Sequence, residues 1–256
     1  MHSETIRLNS QATLTTYLWS DSRELAVIRR PAVLVFPGGA YMFCSDREAE
    51  PVALGYMAEG FNAFVLRYTT VKQFDPPFQE AQEALRLIRS NADQWHIDPH
   101  RVAVCGFSAG GHLACAMGVL AREKPNAMVL GYPAVSKETW RQFAPDIPDL
   151  ISQVQEDAAP AFLFHTANDE VVPVGDSLRL MDALSDHGVS FEGHIYPTGD
   201  HGLSRAKPLC SGGWANMIAP VPAAWFAQSV RWLKEVIGEV EVGEPYDRWK
   251  EDPPQQ

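Results

Sequence analysis

The chain has 256 residues, 46% hydrophobic and 21% charged, which suits one large α/β domain with a sizeable core. A net charge of −11 without any basic run excludes a nucleic-acid-binding protein and argues against attachment to an anionic membrane. Met1–Arg7 lacks the basic and apolar regions of a secretory signal, no segment approaches the length of a membrane span, and Cys44, Cys105, Cys115 and Cys210 form no C-x-x-C, so a cytoplasmic setting is expected.

In chain order, Thr13–Trp19 alternates weakly and predicts an edge strand, and Arg23–Ile28 predicts a second. Ala32–Phe36 is a short apolar run of the kind buried on both sheet faces, and it runs into Pro37-Gly38-Gly39-Ala40-Tyr41. Glu48–Glu59 predicts a helix stopped by Gly60, Asn62–Leu66 a strand, and Phe78–Asn91 a helix with Ala81, Ala84, Leu85 and Ile88 on one face. Val102–Cys105 predicts a strand and Ala109–Leu120 the helix after it, with Cys105 and Cys115 as buried free thiols. Strands at Ala127–Leu130, Ala161–His165 and Ser190–Tyr196 and helices at Val174–His187 and Ala223–Ile237 follow. The tail from about residue 239 is acidic, then Pro/Gln-rich, and is expected to fray. Strands alternate with helices throughout, the grammar of a mostly parallel sheet with helices on both faces; no repeat, linker or second domain is evident.

Gly106-Phe107-Ser108-Ala109-Gly110 has the form G-x-S-x-G between a strand and a helix, the context of a nucleophile elbow. A tight turn there strains the serine backbone and projects its hydroxyl above the sheet, with the N–H groups of a helix N-terminus behind it. A serine hydroxyl is a weak nucleophile and needs a base, and the base needs an orienting carboxylate. Of the later histidines, His112 lies one turn past Ser108, His165 ends an apolar strand, His187 sits beside a helix-stopping glycine and His194 alternates along a strand. His201 lies in the glycine-rich loop Pro197–Gly202 past the last strand, at the rim where sites in such sheets collect, and is the candidate base. Asp200 is its sequence neighbour and so a poor orienter. Asp169, just past the strand ending at His165, is the candidate acid, with Glu170 and Asp176 as alternatives. The N–H of Ala109 and an N–H from Gly39 or Ala40 are candidate oxyanion donors.

Together, Pro37–Tyr41, Gly106–His112, His165–Asp169 and Gly199–Gly202 resemble the α/β-hydrolase esterases, in particular the small carbohydrate esterases of the acetylxylan and feruloyl type, and more distantly the hormone-sensitive-lipase-like esterases. The resemblance runs from Ala32 to about Trp232. It implies a single domain with an α/β-hydrolase fold: a mostly parallel eight-stranded sheet, helices on both faces and a minimal cap at about 134–159. It also implies Ser108 as nucleophile, Asp169 as acid and His201 as base of a serine carboxylesterase. Pro37 and Ala40 depart from the lipase-type H-G-G-G pattern and weigh against long-chain lipase activity. A small cap implies an open site, for which Tyr41, Trp140, Phe143 and Trp214 are candidate substrate contacts. The expected substrate is a small-molecule or oligosaccharide ester such as an acetylated sugar or xylo-oligosaccharide. No cofactor, metal, nucleic acid or membrane partner is expected, and homo-oligomerisation is left open. An amide or peptide hydrolase with the same three residues, and a non-catalytic ligand-binding relative, are the alternatives.

Overall fold

A computed structural model describes residues 1–141, 143, 144 and 146–247. The sheet contains β1 (His2–Arg7), β2 (Thr13–Leu18), β3 (Val27–Phe36), β4 (Asn62–Arg67), β5 (Ile97–Phe107), β6 (Ala127–Gly131), β7 (Ala161–Thr166) and β8 (Phe191–Tyr196), in the order β1-β2-β4-β3-β5-β6-β7-β8. Strands β4, β3, β5, β6, β7 and β8 are mutually parallel, whereas β1 and β2 form an antiparallel flank. A ninth, two-residue strand, β9 (Glu241–Val242), pairs antiparallel with β3, so the expected eight-stranded sheet has a small ninth member. That pairing also gives part of the expected frayed tail a place, while residues 248–256 lie outside the described residues.

The parallel strands are buried on both faces, and alternate side chains feed two cores. Val33, Val35, Cys105, Phe107 and Phe164 face α1 (Glu50–Ala58) and α6 (Trp225–Ile237). Leu34, Phe36, Val104, Leu130 and Leu163 face α2 (Asp75–Ser90), α3 (Ala109–Val119) and α5 (Gly175–Asp186). The amphipathic pattern read at Ala81, Ala84, Leu85 and Ile88 is the buried face of α2. Helix α3 is buried at every position, so it carries no polar face, as a central helix requires.

Two readings of the N-terminal region are corrected. The edge strand is β1, not Thr13–Trp19; β1 is almost wholly exposed and has no apolar alternation to reveal it. Arg23–Ile28 is not a strand of its own. Residues 23–26 form a turn closed by the Ala26 N–H on the Arg23 carbonyl at 3.2 Å, and Leu25 and Ile28 remain exposed. Strand β3 then continues through the polar Arg29–Arg30, with its register against β5 shifting between Arg30 and Ala32, and the Arg30 guanidinium donates to the Gly60 carbonyl at 3.1 Å.

All four cysteines are free thiols, and Cys105, Cys115 and Cys210 are buried. Among the described residues, no helix is long and apolar enough to cross a membrane.

Because β3, β5, β7 and β8 run in parallel, the segments that follow them emerge at one edge of the sheet. The close approach of α3 to β5 fixes the geometry there. A Cβ on Gly106 would sit on the Gly110 carbonyl and 2.9 Å from Ala114 Cβ. A Cβ on Gly110 would collide with the Phe36 carbonyl. Gly106→Ala should therefore push α3 off the sheet and lower the unfolding free energy by about 2 kcal/mol or more. Urea unfolding checks this, with a lower midpoint expected at an unchanged slope; a wild-type midpoint would refute the close contact.

Candidate active site

Ser108 joins β5 to α3 with φ 53° and ψ −117°, a conformation unfavourable for a residue with a Cβ. Both of its backbone groups are held. Its N–H donates to the Gly131 carbonyl at 3.0 Å, and its carbonyl accepts from His112 N–H at 2.9 Å and Ala134 N–H at 3.2 Å. The strained turn is thus pinned to β6 and to the first turn of α3.

The loop after β8 brings His201 to this turn. His201 Nε2 lies 2.9 Å from Ser108 Oγ, and Nδ1 lies 2.8 Å from Asp169 Oδ2. A carboxylate can only accept, so Nδ1 carries the proton and Nε2 presents its lone pair to the serine hydroxyl. The Asp169 side chain is buried, and its Oδ1 accepts the N–H groups of Val171 and Val172, both at 2.9 Å. His165, which ends the apolar run at Ala161–His165 and is fully buried, is also in this cluster. Its Nε2 faces the Val172 carbonyl at 3.0 Å and Asp169 Oδ2 at 3.4 Å, which places the proton there, so Nδ1 accepts from Ser177 Oγ at 2.8 Å. Burial raises the Asp169 pKa, but hydrogen bonds from His165 and His201, the charge of His201 and the Val172 N–H outweigh it and hold the carboxyl well below its ordinary range.

The alternative acids stand elsewhere. Glu170 is exposed. Asp176 is buried, but it accepts from Ser136 N–H and Oγ, Thr139 Oγ1 and Arg179, which clamps the start of the cap segment to α5. The Asp200 carboxylate is bonded to the Asn216 amide.

The loop after β3 lies against the elbow: a Cβ on Gly38 would be 3.2 Å from Ser108 Cβ. Gly39, Ala40 and Tyr41 have φ of 130°, 54° and 56° in succession, and the Gly39 carbonyl accepts the N–H groups of Met42 and Phe43 at 2.8 and 3.2 Å. Among the described residues, none accepts from the N–H of Gly39, Ala40 or Ala109. Such a run of backbone donors suits an anion.

The proposed substrate contacts divide into two pairs. The fully buried Tyr41 is turned under the loop, where its hydroxyl donates to His112 Nδ1 at 2.9 Å, so it lines no opening. Trp140 is 4% exposed, with its Nε1 on the Ala134 carbonyl at 2.6 Å and its ring 5.7 Å from Tyr41. Both are floor, not wall, because the cap segment packs into the core through Val135, Trp140, Ile147, Leu150 and Val154. Phe143 and Trp214 are 41% and 68% exposed. Among its described residues, the segment at 134–159 read as a cap holds one short helix, α4 (Lys137–Trp140), and a 3-10 turn at Ile151–Gln153; residues 142 and 145 lie outside the described residues.

Two polar residues at this edge escape the sequence reading, Glu48 and Tyr132. Glu48 is buried behind Gly38, and Tyr132, just past β6, packs its ring 5.0 Å from His201. The position of Tyr132 at a strand's C-terminal end was a usable signal; the inward turn of Glu48 was not. Among the described residues, no group of three or more His, Cys, Asp or Glu could hold a metal ion.

Comparison with known proteins adds to this geometry. A family model described as BD-FAE matches residues 24–126, and one described as the Prolyl oligopeptidase family matches residues 149–210. The chain is similar to the solved structure of MGS-M1, an alpha/beta hydrolase enzyme from a Medee basin deep-sea metagenome library. The two are 40% identical, with 93% of this chain and 98% of that one covered and a TM-score of 0.88. It is similar to the acetylxylan esterase of Xylanibacter ruminicola, 28% identical over 67% of this chain and 41% of that protein. It is also similar to endo-1,4-beta-xylanase B of Butyrivibrio fibrisolvens, 29% identical over 79% of this chain and 36% of that protein. The chain thus spans less than half the length of either curated relative.

His112 under the loop gives a pH signature. Its Nε2 faces the Pro148 carbonyl at 3.0 Å, which makes it the protonated nitrogen of a neutral ring. Burial holds its pKa down at about 4, against smaller upward pulls from the Pro148 carbonyl and Asp149. In the unfolded chain a histidine titrates near ~6.5. Between those values the unfolded state binds a proton that the folded state does not, so stability present above pH ~6.5 is lost as pH falls, by roughly 3 kcal/mol in all. The depressed Asp169 contributes its own loss only below about pH 4. Denaturation of wild type and His112→Gln between pH 7 and 4 should show a steeper decline in wild type; equal slopes would refute the neutral buried ring.

Proposed function

The chain belongs to the α/β-hydrolase family, and on that footing we propose that it is a serine carboxylesterase acting through an acyl-enzyme. The observation that carries the proposal is the continuous hydrogen-bonded line from Asp169 through His201 to Ser108, beside backbone N–H groups without a partner. His201 Nε2 takes the Ser108 proton as Oγ attacks the ester carbonyl, and Asp169 stabilises the imidazolium that forms. The N–H groups of Ala109 and of Gly39 or Ala40 receive the developing oxyanion. The imidazolium gives its proton to the departing alcohol. Water, deprotonated by the same nitrogen, then attacks the acyl carbonyl; as the C–Oγ bond breaks, the imidazolium returns that proton to Ser108 Oγ and the carboxylic acid departs. No step in this sequence requires a metal or cofactor.

The preferred substrate class is short acyl esters of sugars or xylo-oligosaccharides. The short cap, packed down into the core, supports an uncovered site without an apolar tunnel for a long chain. The similarity to an acetylxylan esterase supports acetyl as the acyl group. Exposed Phe143 and Trp214 offer flat apolar surface of the kind that stacks on sugar rings. The Prolyl oligopeptidase family match spans Asp169 and His201 and favours a second reading, an amide or peptide hydrolase.

One panel separates these readings: p-nitrophenyl acetate, octanoate and decanoate, a peptidyl p-nitroanilide, and acetylated xylan with acetate measured. Acetyl esters should be hydrolysed faster than decanoyl esters, with no measurable anilide cleavage. A decanoyl or anilide preference would reverse the assignment. Ser108→Ala should lose at least ~10³-fold in kcat while staying folded; retention of a tenth of wild-type activity would remove the serine mechanism.

Asp169→Asn should lower kcat by about 10³- to 10⁴-fold, because the amide favours the wrong His201 tautomer. Asp200→Asn, which alters only the contact with Asn216, should stay within about threefold of wild type. Steady-state kinetics on p-nitrophenyl acetate decide it, and a reversed ranking would mean that Asp200 is the orienting acid.

A further inference from the structure

The Ser108–His201–Asp169 reading leaves a buried carboxyl unaccounted for. Glu48 is 3% exposed and lies in the 3-10 turn Asp46–Glu48 before α1. Its Oε2 accepts the Gly38 N–H at 2.9 Å, and its Oε1 accepts the Tyr132 hydroxyl at 2.6 Å. The Tyr132 oxygen accepts the Ser204 N–H at 2.8 Å, and Ser204 Oγ donates to the Arg47 carbonyl at 2.6 Å. Arg47 in turn donates to the carbonyls of Gly202 and Cys210, at 2.9 and 3.1 Å. Burial, followed by the Glu48 charge, pushes the Tyr132 phenol well above its ordinary pKa, so the phenol remains a donor.

This chain of bonds links two segments distant in sequence. One end is Gly38, next to the Gly39 and Ala40 donors; the other is Ser204, three positions past His201. It passes close to the serine, since a Cβ on Gly38 would lie 2.7 Å from Glu48 Oε2 and 3.2 Å from Ser108 Cβ. It also passes the base, against which the Tyr132 ring packs edge-on at 5.0 Å. Among the described residues, no cationic side chain forms an ion pair with Glu48. A carboxyl buried this way is a poor source of stability compared with an apolar side chain of similar size. Its two acceptor oxygens do what an apolar side chain cannot: they fix the distance between two loops.

We propose that Glu48 and Tyr132 are positioning residues that hold the oxyanion donors and the base at a set spacing across Ser108. The proposal rests on the reading of Ser108, His201 and Asp169 given above. Neither residue touches the reacting atoms; both act through the loops they hold. In Glu48→Gln the amide NH₂ is a donor, so the side chain cannot accept both the Gly38 N–H and the Tyr132 O–H. Tyr132→Phe removes one oxygen, leaves the ring on His201, and strips the acceptor from Ser204 N–H.

Kinetics on p-nitrophenyl acetate, with melting temperature as a check on folding and a trifluoromethyl ketone as transition-state analogue, test the proposal. Glu48→Gln should lower kcat about 10- to 100-fold with KM within about twofold, a partial loss of the effect of deleting an oxyanion donor. The analogue's inhibition constant should rise in step with the fall in kcat/KM. Tyr132→Phe should lower kcat about tenfold, and the double variant should be no more than about twofold worse than Glu48→Gln alone. A folded Glu48→Gln with wild-type kcat, a loss confined to KM, or multiplicative effects in the double variant would each overturn the proposal. If Glu48→Gln does not fold, Tyr132→Phe decides alone: lower kcat at unchanged KM supports positioning, and wild-type kcat refutes it. Ser108→Ala separates the two levels: if that variant stays active, the triad reading and this proposal fall together; if it is dead while Glu48→Gln is normal, only this proposal falls.

Discussion

The site depends on a steric constraint at the junction of β5 and α3. Gly106 and Gly110 let the helix meet the sheet with no Cβ between them. That closeness makes the turn so tight that Ser108 must take φ 53°. The same approach brings Gly110 against the carbonyls of Phe36 and Pro37, so the loop after β3 lies beside the serine without any linker. The elbow and the loop after β3 are therefore one packing unit. The parallel order of the sheet does the rest, since β7 and β8 deliver Asp169 and His201 to the same edge.

The buried histidines and carboxylates at that edge are matched by partners of the right kind. Three histidines there have their protons fixed by acceptors that cannot donate: the Asp169 carboxylate for His201, the Val172 carbonyl for His165 and the Pro148 carbonyl for His112. Only His201 is left with its lone pair aimed at a hydroxyl on the elbow; the other two accept from Ser177 and Tyr41. Asp169 and Glu48 each receive hydrogen bonds on both oxygens. A fully satisfied network of this kind specifies one geometry, and a half-satisfied one would be worse than an apolar core.

Much of this was legible in the sequence, for local reasons. Apolar runs gave the parallel strands, and Ala81, Ala84, Leu85 and Ile88 gave the buried face of α2. The glycines around Ser108 and the loop positions of Asp169 and His201 carry their signal within a few residues. What stayed hidden depends on contacts that local pattern does not encode. Strand β1 has no apolar face, because it is held mainly by its pairing with β2 and buries little beyond part of Ile6. Tyr41 looked like a rim residue, but its positive φ and the His112 ring turn it into the core. Trp140 looked like a wall until the cap proved to pack inward. The bond between Tyr132 and Glu48 spans 84 positions, and nothing near either residue announces the other.

Much of the backbone strain follows the same map, although Ala26 and His96 also have positive φ where they precede β3 and β5. Ala40, Tyr41, Ser108, Tyr132, Ser204 and Ala206, which all follow the C-terminal ends of β3, β5, β6 or β8, have positive φ. Such conformations persist only where the surroundings over-determine them, at on the order of 1 kcal/mol or more each. The surroundings here are the same bonds that order the site: Ser108 on Gly131, Tyr132 on Glu48, Ser204 on Tyr132 and Arg47. Lys72, also at positive φ, donates its N–H to the Tyr41 carbonyl and so braces the loop after β3 from outside. An edge built this way has little freedom to rearrange when a substrate arrives. The segment at 134–159 adds little freedom, because Val135, Trp140, Ile147, Leu150 and Val154 are already buried in the core, although Phe143 is exposed. Selectivity, on this geometry, is set by what fits the preformed edge beside Ser108.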